Sequence, residues 1–543
     1  MAKRTKNKGV VEQPVAEPVW PLRTRDCLGK WHLLLACAAV LIATLRIVAT
    51  YPVFNHTIDE PAHIACGMEW LDKGRYTLET QHPPLSRIFS ALGPFLAGER
   101  NQGRPTIYNE GAAILYHNGK YERNLTLARI GTLPFFWLAC VAIYLAARRW
   151  YGGAQAGLAV LSFTLLPPIL AHASLATTDM ALTATMGLAL YAVFAWSENP
   201  TPGWAAAMGA CCALALVSKF SSLAFLPACI GAILVWRVVS ELGSVRLLTA
   251  RHAMTACIAL LVCALTIWAT YRFSFRHGVP APEFFDGIQA AYGHQANGHP
   301  SYLLGTRSDS GFLMFYPVAL AVKTPLGFLF LLAGGIVLAW KKRQQVIWLA
   351  PLAAIAGMFA VGMYSRINIG TRHVLPIYFF FALLVAAAAW ECLAQKNWLN
   401  WTAMALLGWM AVSGAWNHPD YLAYFNELAG NEPEKILADS DLDWGQDMLR
   451  LSARLREAGA PSVTFNPFIS AYLHDYHGFP PIQPSDPVSP SPGWNAVSIT
   501  VWKVARMGLM DEHPEVQLWP DGVKMQERIG RGTLLYYFKP GSR

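Results

Sequence analysis

Two carboxylates stand side by side at Asp59-Glu60, in "TIDEPAHIACGMEWLDKGRYTLETQHPPLSRIF", just after an apolar run that ends near residue 51. His63 follows within about one helical turn, and His82 opens the unusual His82-Pro83-Pro84-Leu85. A third carboxylate, Asp179, lies in "HASLATTDMAL", again between apolar runs. Cations occupy similar places: Arg129, Lys219 in "VSKFSS", Lys323 in "AVKTP", and Arg366, Arg372 and His373 in "YSRINIGTRHVLP". A carboxylate within hydrogen-bond reach of a hydroxyl or amine can take its proton. Lysine and arginine can hold a phosphate and stabilise the charge that builds on a departing phosphate oxygen. Together the two sets suit transfer of a group away from a phosphate.

Each residue also has a plainer role. Asp59 and Glu60 could cap a helix end or pair with Arg75 or Arg87, and Asp179 could cap the helix after Thr177-Thr178. Lys219 and Lys323 could snorkel to headgroups, and Arg372 could anchor to lipid phosphate. No His pair has the His-x-x-x-His spacing of a helical zinc site. His63, His82 and His373 therefore read as positioning residues rather than metal ligands. The acidic "DSDLDWGQD" from Asp439 fails the EF-hand pattern, with Trp444 at the sixth position and Arg450 at the twelfth. Asp443 reads instead as the N-cap of the helix that follows. Walker-type phosphate loops are absent, which speaks against an ATP-driven pump and against nucleotide-sugar chemistry on a Rossmann domain.

What positions these groups is a membrane domain. Only 14% of the 543 residues are charged and 54% are hydrophobic, against about 25% charged in soluble domains. Twenty tryptophans and twenty tyrosines suit two membrane interfaces. The net charge of +9 falls in short clusters between apolar runs rather than along one cationic stripe, so nucleic acid is not an expected partner. All ten cysteines but Cys27 and Cys66 lie in apolar segments, so no disulfide framework is expected. At about 20 residues per span, roughly eleven are expected: 31–51, 125–147, 154–173, 180–196, 204–217, 220–239, 254–271, 311–340, 346–364, 374–393 and 398–416. The first reads as a membrane helix that is retained rather than a signal peptide.

Short-loop Lys and Arg set the orientation. The N-terminal "MAKRTKNK", Arg148-Arg149, the stretch from Arg237 to Arg251, "KKR" at Lys341, and Lys396 fall on one side, expected to be cytoplasmic. The expected layout is a cytoplasmic tail 1–30, a membrane domain 31–416 with outward loops 52–124 and 272–310, and an extracytoplasmic α/β domain 417–543. "PPLSRIFSALGPFLAG" reads as an amphipathic interfacial helix that Gly93-Pro94 would interrupt. In the terminal domain, "KILADSD", "SVTFNPF", "NAVSITVWKV" and "TLLYYFKP" read as strands and "WGQDMLRLSARLREAG" as a helix. Every ionisable residue singled out above maps to the outward face. Ionisable groups abutting spans usually face a cavity, and a sugar on a lipid phosphate is the substrate that this one-sided set implies.

The pattern resembles the multi-spanning glycosyltransferases of the GT-C fold, in particular the protein O-mannosyltransferases and the bacterial aminoarabinose transferases that modify lipid A. The resemblance is carried by "IDEPAH", "HPPL", "TTDMAL", "SKFSS", "YLLGTRSDSGFLMFYPVALAVKTP", "NIGTRHVLPIY" and "YFNELAGNEPEKILADSDLDWGQDM", in that order over most of the chain. It implies inverting transfer of a sugar from a polyprenyl phosphate to an acceptor at the outer membrane face. It maps the base onto Asp59, accompanying acids onto Glu60 and Asp179, and phosphate-facing cations onto Arg129, Lys219 and Arg372. The β-trefoil of eukaryotic protein O-mannosyltransferases has no counterpart long enough here, so acceptor identity does not carry over. Metal use varies among GT-C enzymes, which leaves a divalent ion open; no other cofactor is called for.

The expectation is a polytopic α-helical, GT-C-like glycosyltransferase of the cytoplasmic (inner) membrane with a small C-terminal α/β domain outside. Asp59 would act as base, with Glu60 and Asp179 orienting it or the acceptor. Arg129, Lys219, Lys323, Arg366 and Arg372 would hold the donor phosphate, and His63, His82 and His373 would position donor or acceptor. Its partners would be a lipid-linked sugar, membrane lipids, and an acceptor protein, lipid or glycan. A surface-polysaccharide ligase or polymerase would use the same donor type. A transporter or flippase of lipid-linked saccharides would instead spread ionisable groups through the membrane depth and repeat its halves.

Overall fold

The computed structural model describes residues 19–240, 249–395, 397–513 and 515–539. "MAKRTKNK", positions 241–248 of the basic stretch before Arg251, and Lys396 lie outside the described residues. Among the described residues, five helices are long and apolar enough to cross a bilayer: Leu28–Val48, Tyr121–Trp150, Asp179–Glu198, Ala250–Thr270 and Val346–Met363. Two bent pairs raise this to seven if each counts as one span: Gly153–Thr164 with Pro167–Ala173, at 70°, and Phe315–Lys323 with Leu326–Lys341, at 120°. Both breaks fall before a proline, with Leu166 and Thr324 extended at ψ 119° and 132°, as the proline ring requires of its predecessor. The eleven expected spans are not reached by this measure. Pro202–Leu216, Ser222–Trp236 and Ile377–Leu393 are apolar but short.

Salt bridges show which helix ends lie together. Arg149 pairs with Glu198 and stacks over Tyr191 and Trp204. Lys342 pairs with Glu391 at 2.8 Å, and Trp236 packs on Trp340. Tyr151 packs on Trp348, over which Lys342 also lies, so the basic ends at Arg149 and Lys342 share one end of the bundle. Asp179 opens the 20-residue helix that closes at Glu198, so it lies about 30 Å away at the opposite end. Close crossings hold the bundle: Gly209 faces the backbone of Ala259, and Gly335 that of Leu384, where a Cβ would collide.

Segment 52–124 folds into helices Glu60–Met68, Pro84–Leu96 and Ile107–Tyr116. Pro84–Leu96 is the expected amphipathic helix, with its polar residues turned inward: Ser86, Arg87 and Ser90 are buried while Leu96 is exposed. Pro94 does not interrupt it, because it sits two residues from the end, where few helical bonds remain to be lost. Segment 272–310 forms two hairpins around helix Pro282–Asn297.

The terminal domain holds a five-stranded mixed sheet in the order Ile482–Gln483, Val463–Thr464, Gly493–Ser498, Thr533–Phe538, Glu527–Ile529. Helix Met448–Glu457 packs Leu451 and Leu455 against Val463, Phe465 and Leu535. Three expectations change here. "KILADSD" is two short turns, Pro433–Lys435 and Asp439–Asp441, rather than a strand. "NAVSITVWKV" ends as a strand at Ser498, whose side chain accepts from the Val501 amide and starts helix Ile499–Glu512. Asp443 does not cap the helix that follows it, Met448–Glu457; it accepts from Ser498 Oγ at 2.5 Å, Gly445 N at 3.1 Å and Thr500 N at 3.2 Å. The domain is stitched to the bundle. Asn55 Nδ2 donates to the Gly445 carbonyl and its Oδ1 accepts from the Met448 amide, both at 2.7 Å.

Candidate active site

Glu60 and Arg129 form a buried, bidentate pair, Nε to Oε1 and Nη2 to Oε2, each 2.9 Å. Glu60 also accepts from the amides of Thr57 at 2.7 Å and Ala176 at 3.0 Å. Arg129 donates to the carbonyls of Asn55 at 2.8 Å and Phe54 at 3.0 Å. Burial opposes ionisation of Glu60, but the guanidinium and the two amides outweigh it and hold the carboxyl below its usual range. With every oxygen engaged, the pair joins three outward segments behind the site. It does not face the cavity.

Asp59, its neighbour in sequence, does. Helical geometry at Glu60–Met68 sends adjacent side chains in different directions, so fixing Glu60 against Arg129 presents Asp59 to open space. Arg372 Nη1 donates to Asp59 Oδ2 at 2.9 Å, and the guanidinium lies 4.2 Å from the centroid of Trp444. Arg372 Nε is buried without a partner among the described residues. The expected pairing of Asp59 or Glu60 with Arg75 or Arg87 is not made: Arg75 pairs with Glu69 and Arg87 with Glu79.

A cavity of about 650 Å³, at the end of the bundle where Asp179 lies, collects Asp59, His63, His82, Lys219, Arg372 and His373. Asp179 is not part of the lining; it stands behind Lys219, accepting from its Nζ at 2.6 Å, with its Oδ2 unpartnered among the described residues. Burial disfavours the charged form of all three imidazoles. Burial, reinforced by Arg87, holds His63 well below the usual histidine range, and its Nδ1 accepts from Arg87 Nε at 3.1 Å. Burial, with Lys219 and Arg372 beside it, does the same for His373, and burial lowers His82. They can hydrogen-bond a ligand but not bind phosphate as cations.

Two expected residues lie elsewhere. Lys323 Nζ donates to the carbonyls of Asp441 at 2.5 Å and Leu422 at 2.7 Å, in the joint with the terminal domain. Arg366 is turned to the Ala296 carbonyl at 2.6 Å and lines no part of the cavity. Conversely, Glu79, Arg87, Asp439 and Trp444 line it without having been singled out. Glu79 and Arg87 share the outward loop with Asp59, a signal that was legible. Asp439 was visible only as part of an acidic run. Burial raises its carboxyl to about 6, against the pull of Arg372. Among the described residues, no three His, Cys, Asp or Glu side chains are grouped to hold a metal ion.

A second cavity, about 410 Å³, shares His82, Lys219 and His373 with the first and continues past Phe225, Ile288 and Val361. The polar chamber therefore opens into an apolar groove between helices.

The same architecture occurs in ArnT from Cupriavidus metallidurans bound to undecaprenyl phosphate, with a TM-score of 0.51, 14% identity, and coverage of 93% of this chain and 98% of that one. Its apo state aligns with a TM-score of 0.50 and 13% identity over the same shares. The fold is GT-C-like, as the sequence implied. Residues 122–268 match the dolichyl-phosphate-mannose-protein mannosyltransferase family. No curated protein sequence matches the chain. At this identity the likeness speaks for the fold, and the chemistry rests on the residues.

Proposed function

We propose that the protein is a membrane glycosyltransferase that moves a sugar from a polyprenyl phosphate to an acceptor, with inversion, on the outer face of the cytoplasmic membrane. The observation that carries this reading is the Asp59–Arg372 contact in a polar cavity that runs into an apolar groove through Lys219. A lipid-linked sugar needs both environments at once. The groove takes the polyprenyl chain, and Lys219 and Arg372 hold the phosphate, Arg372 with its free Nε. The similarity to a protein bound to undecaprenyl phosphate supports this class of carrier.

In the reaction, Asp59 takes the proton of the acceptor hydroxyl or amine. The acceptor atom bonds to the anomeric carbon as the bond from that carbon to the phosphate oxygen breaks. The electron pair leaves on the carrier phosphate, where Lys219 and Arg372 stabilise it. Neutral His63, His82 and His373 orient the sugar. Sidedness follows from the basic helix ends, Arg149 and Lys342, lying opposite Asp179. Residues 31–416 form the catalytic domain and 417–543 an extracytoplasmic domain over its mouth. Gathering of the ionisable groups at one end favours an enzyme over a flippase. The test is sugar release from a radiolabelled polyprenyl-phosphate sugar by purified protein; no release by wild type above an Asp59→Asn control would refute it.

A further inference from the structure

The cavity has two walls. The wall continuous with the apolar groove bears Lys219, His82 and His373, and no residue lining that groove lies beyond Val374. The other wall is built by the terminal domain, with Asp439, Trp444, Phe468, Thr500, Val501 and Val504, none of which lines the groove. Of the carboxylates that line the cavity, Asp59 is paired with Arg372 and Glu79 with Arg87. Asp439 has no ion pair among the described residues; its side chain accepts only from the adjacent Ser440 amide, at 2.5 Å.

Its backbone is held in the left-handed region, at φ 59°, a conformation that non-glycine residues adopt at a cost. Three bonds enforce it. The Asp439 amide donates to Thr500 Oγ1 at 3.0 Å, Ser440 Oγ donates to the Ile369 carbonyl, and Asp441 Oδ1 accepts from Thr371 Oγ1 at 2.8 Å. The turn is thus clamped onto the segment that carries Arg372, and the clamp holds the Asp439 carboxylate at the chamber.

We propose that Asp439 is the terminal domain's contribution to an acceptor subsite, where its carboxylate accepts a hydrogen bond from a hydroxyl or ammonium of the acceptor beside the apolar wall of Phe468, Val501 and Val504. The subsite selects an acceptor that presents a hydrogen-bond donor on an apolar body and disfavours one that presents a phosphate or carboxylate there. This rests on the glycosyltransferase reading above. The transferred sugar comes from the Lys219 side, and Asp59 lies between the two walls, next to Arg372.

Asp439→Asn is the variant of choice because asparagine tolerates the left-handed backbone, so charge alone is tested. Full-length protein is assayed two ways: binding of undecaprenyl phosphate, read as a thermal shift, and sugar transfer from a saturating polyprenyl-phosphate donor to the endogenous acceptors of washed membranes. The expected result is unchanged carrier binding with transfer lowered about 10- to 100-fold, the loss of one hydrogen bond to a charged group. Transfer equal to wild type overturns the inference alone. Carrier binding lost together with transfer also overturns it, since that marks a donor-side or folding role. A wild-type protein that transfers no sugar refutes the underlying function instead. Asp439→Glu, which keeps the charge on a residue less tolerant of that backbone, should retain more transfer than Asp439→Asn.

Discussion

Arg372 Nη1 and Asp59 Oδ2 meet at 2.9 Å across 313 residues of sequence. In the proposed reaction this bond puts the base for the acceptor and a cation for the donor phosphate in direct contact, so the two halves of that reaction would share one geometry. Asp59→Asn keeps the shape and removes the base. Transfer should fall by about 10²- to 10⁴-fold, the span of general-base contributions, while the thermal midpoint and undecaprenyl phosphate binding stay at wild-type values.

Lys219 faces the cavity and the groove at once and holds Asp179 at 2.6 Å. Lys219→Met should weaken carrier binding about 10- to 100-fold and also destabilise the protein, because Asp179 is left buried and unpaired. Adding Asp179→Asn should recover stability but not affinity. A titration with undecaprenyl phosphate alongside thermal melts separates the two effects.

Glu60 and Arg129 do structural work. Arg129→Met leaves a buried carboxylate without its partner and should cost about 3–5 kcal/mol, seen as loss of the monodisperse folded fraction in detergent.

The same pair sets an acid limit. The Glu60 carboxyl lies lower in the folded protein than its ordinary value, so its stabilisation is complete above that ordinary value and is lost as pH falls through the lower folded one. The thermal midpoint of wild type should drop on acidification below about pH 4.5. Glu60→Gln should start lower at neutral pH and change less with acid.

Lys323 gives a discriminating case. Its ammonium serves the carbonyls of Leu422 and Asp441, so Lys323→Met should lower stability by about 1.5–3 kcal/mol and leave carrier affinity unchanged. Weakened carrier binding at wild-type stability would return Lys323 to the phosphate site.

The membrane architecture was legible because it depends on composition over long windows. Runs such as those around Ala250–Thr270 and Val346–Met363 have few alternatives to lipid. The shorter runs were less secure, since a helix such as Ile377–Leu393, buried on nearly every side, is sheltered by neighbours rather than by its own length. In the terminal domain the errors arose where tertiary bonds override local preference. The β-branched run after Asn495 would extend as a strand, but the Ser498 side chain ends it. The run at Ile436 is bent into turns by the bonds of Ser440 and Asp441 to residues 369–371.

Residue types and their order were determined by the chain itself: a set of carboxylates and cations, Asp59 and Asp179 with Lys219 and Arg372, at the ends of apolar helices. Only the tertiary structure decided which of them face one another. Glu60 differs from Asp59 by one position, yet one is sealed against Arg129 and the other lines the cavity. Lys323 and Lys219 look alike in sequence, yet one points into a domain joint and the other into the chamber. Direction of a side chain at a helix end depends on what packs behind it, and those partners lie tens to hundreds of residues away.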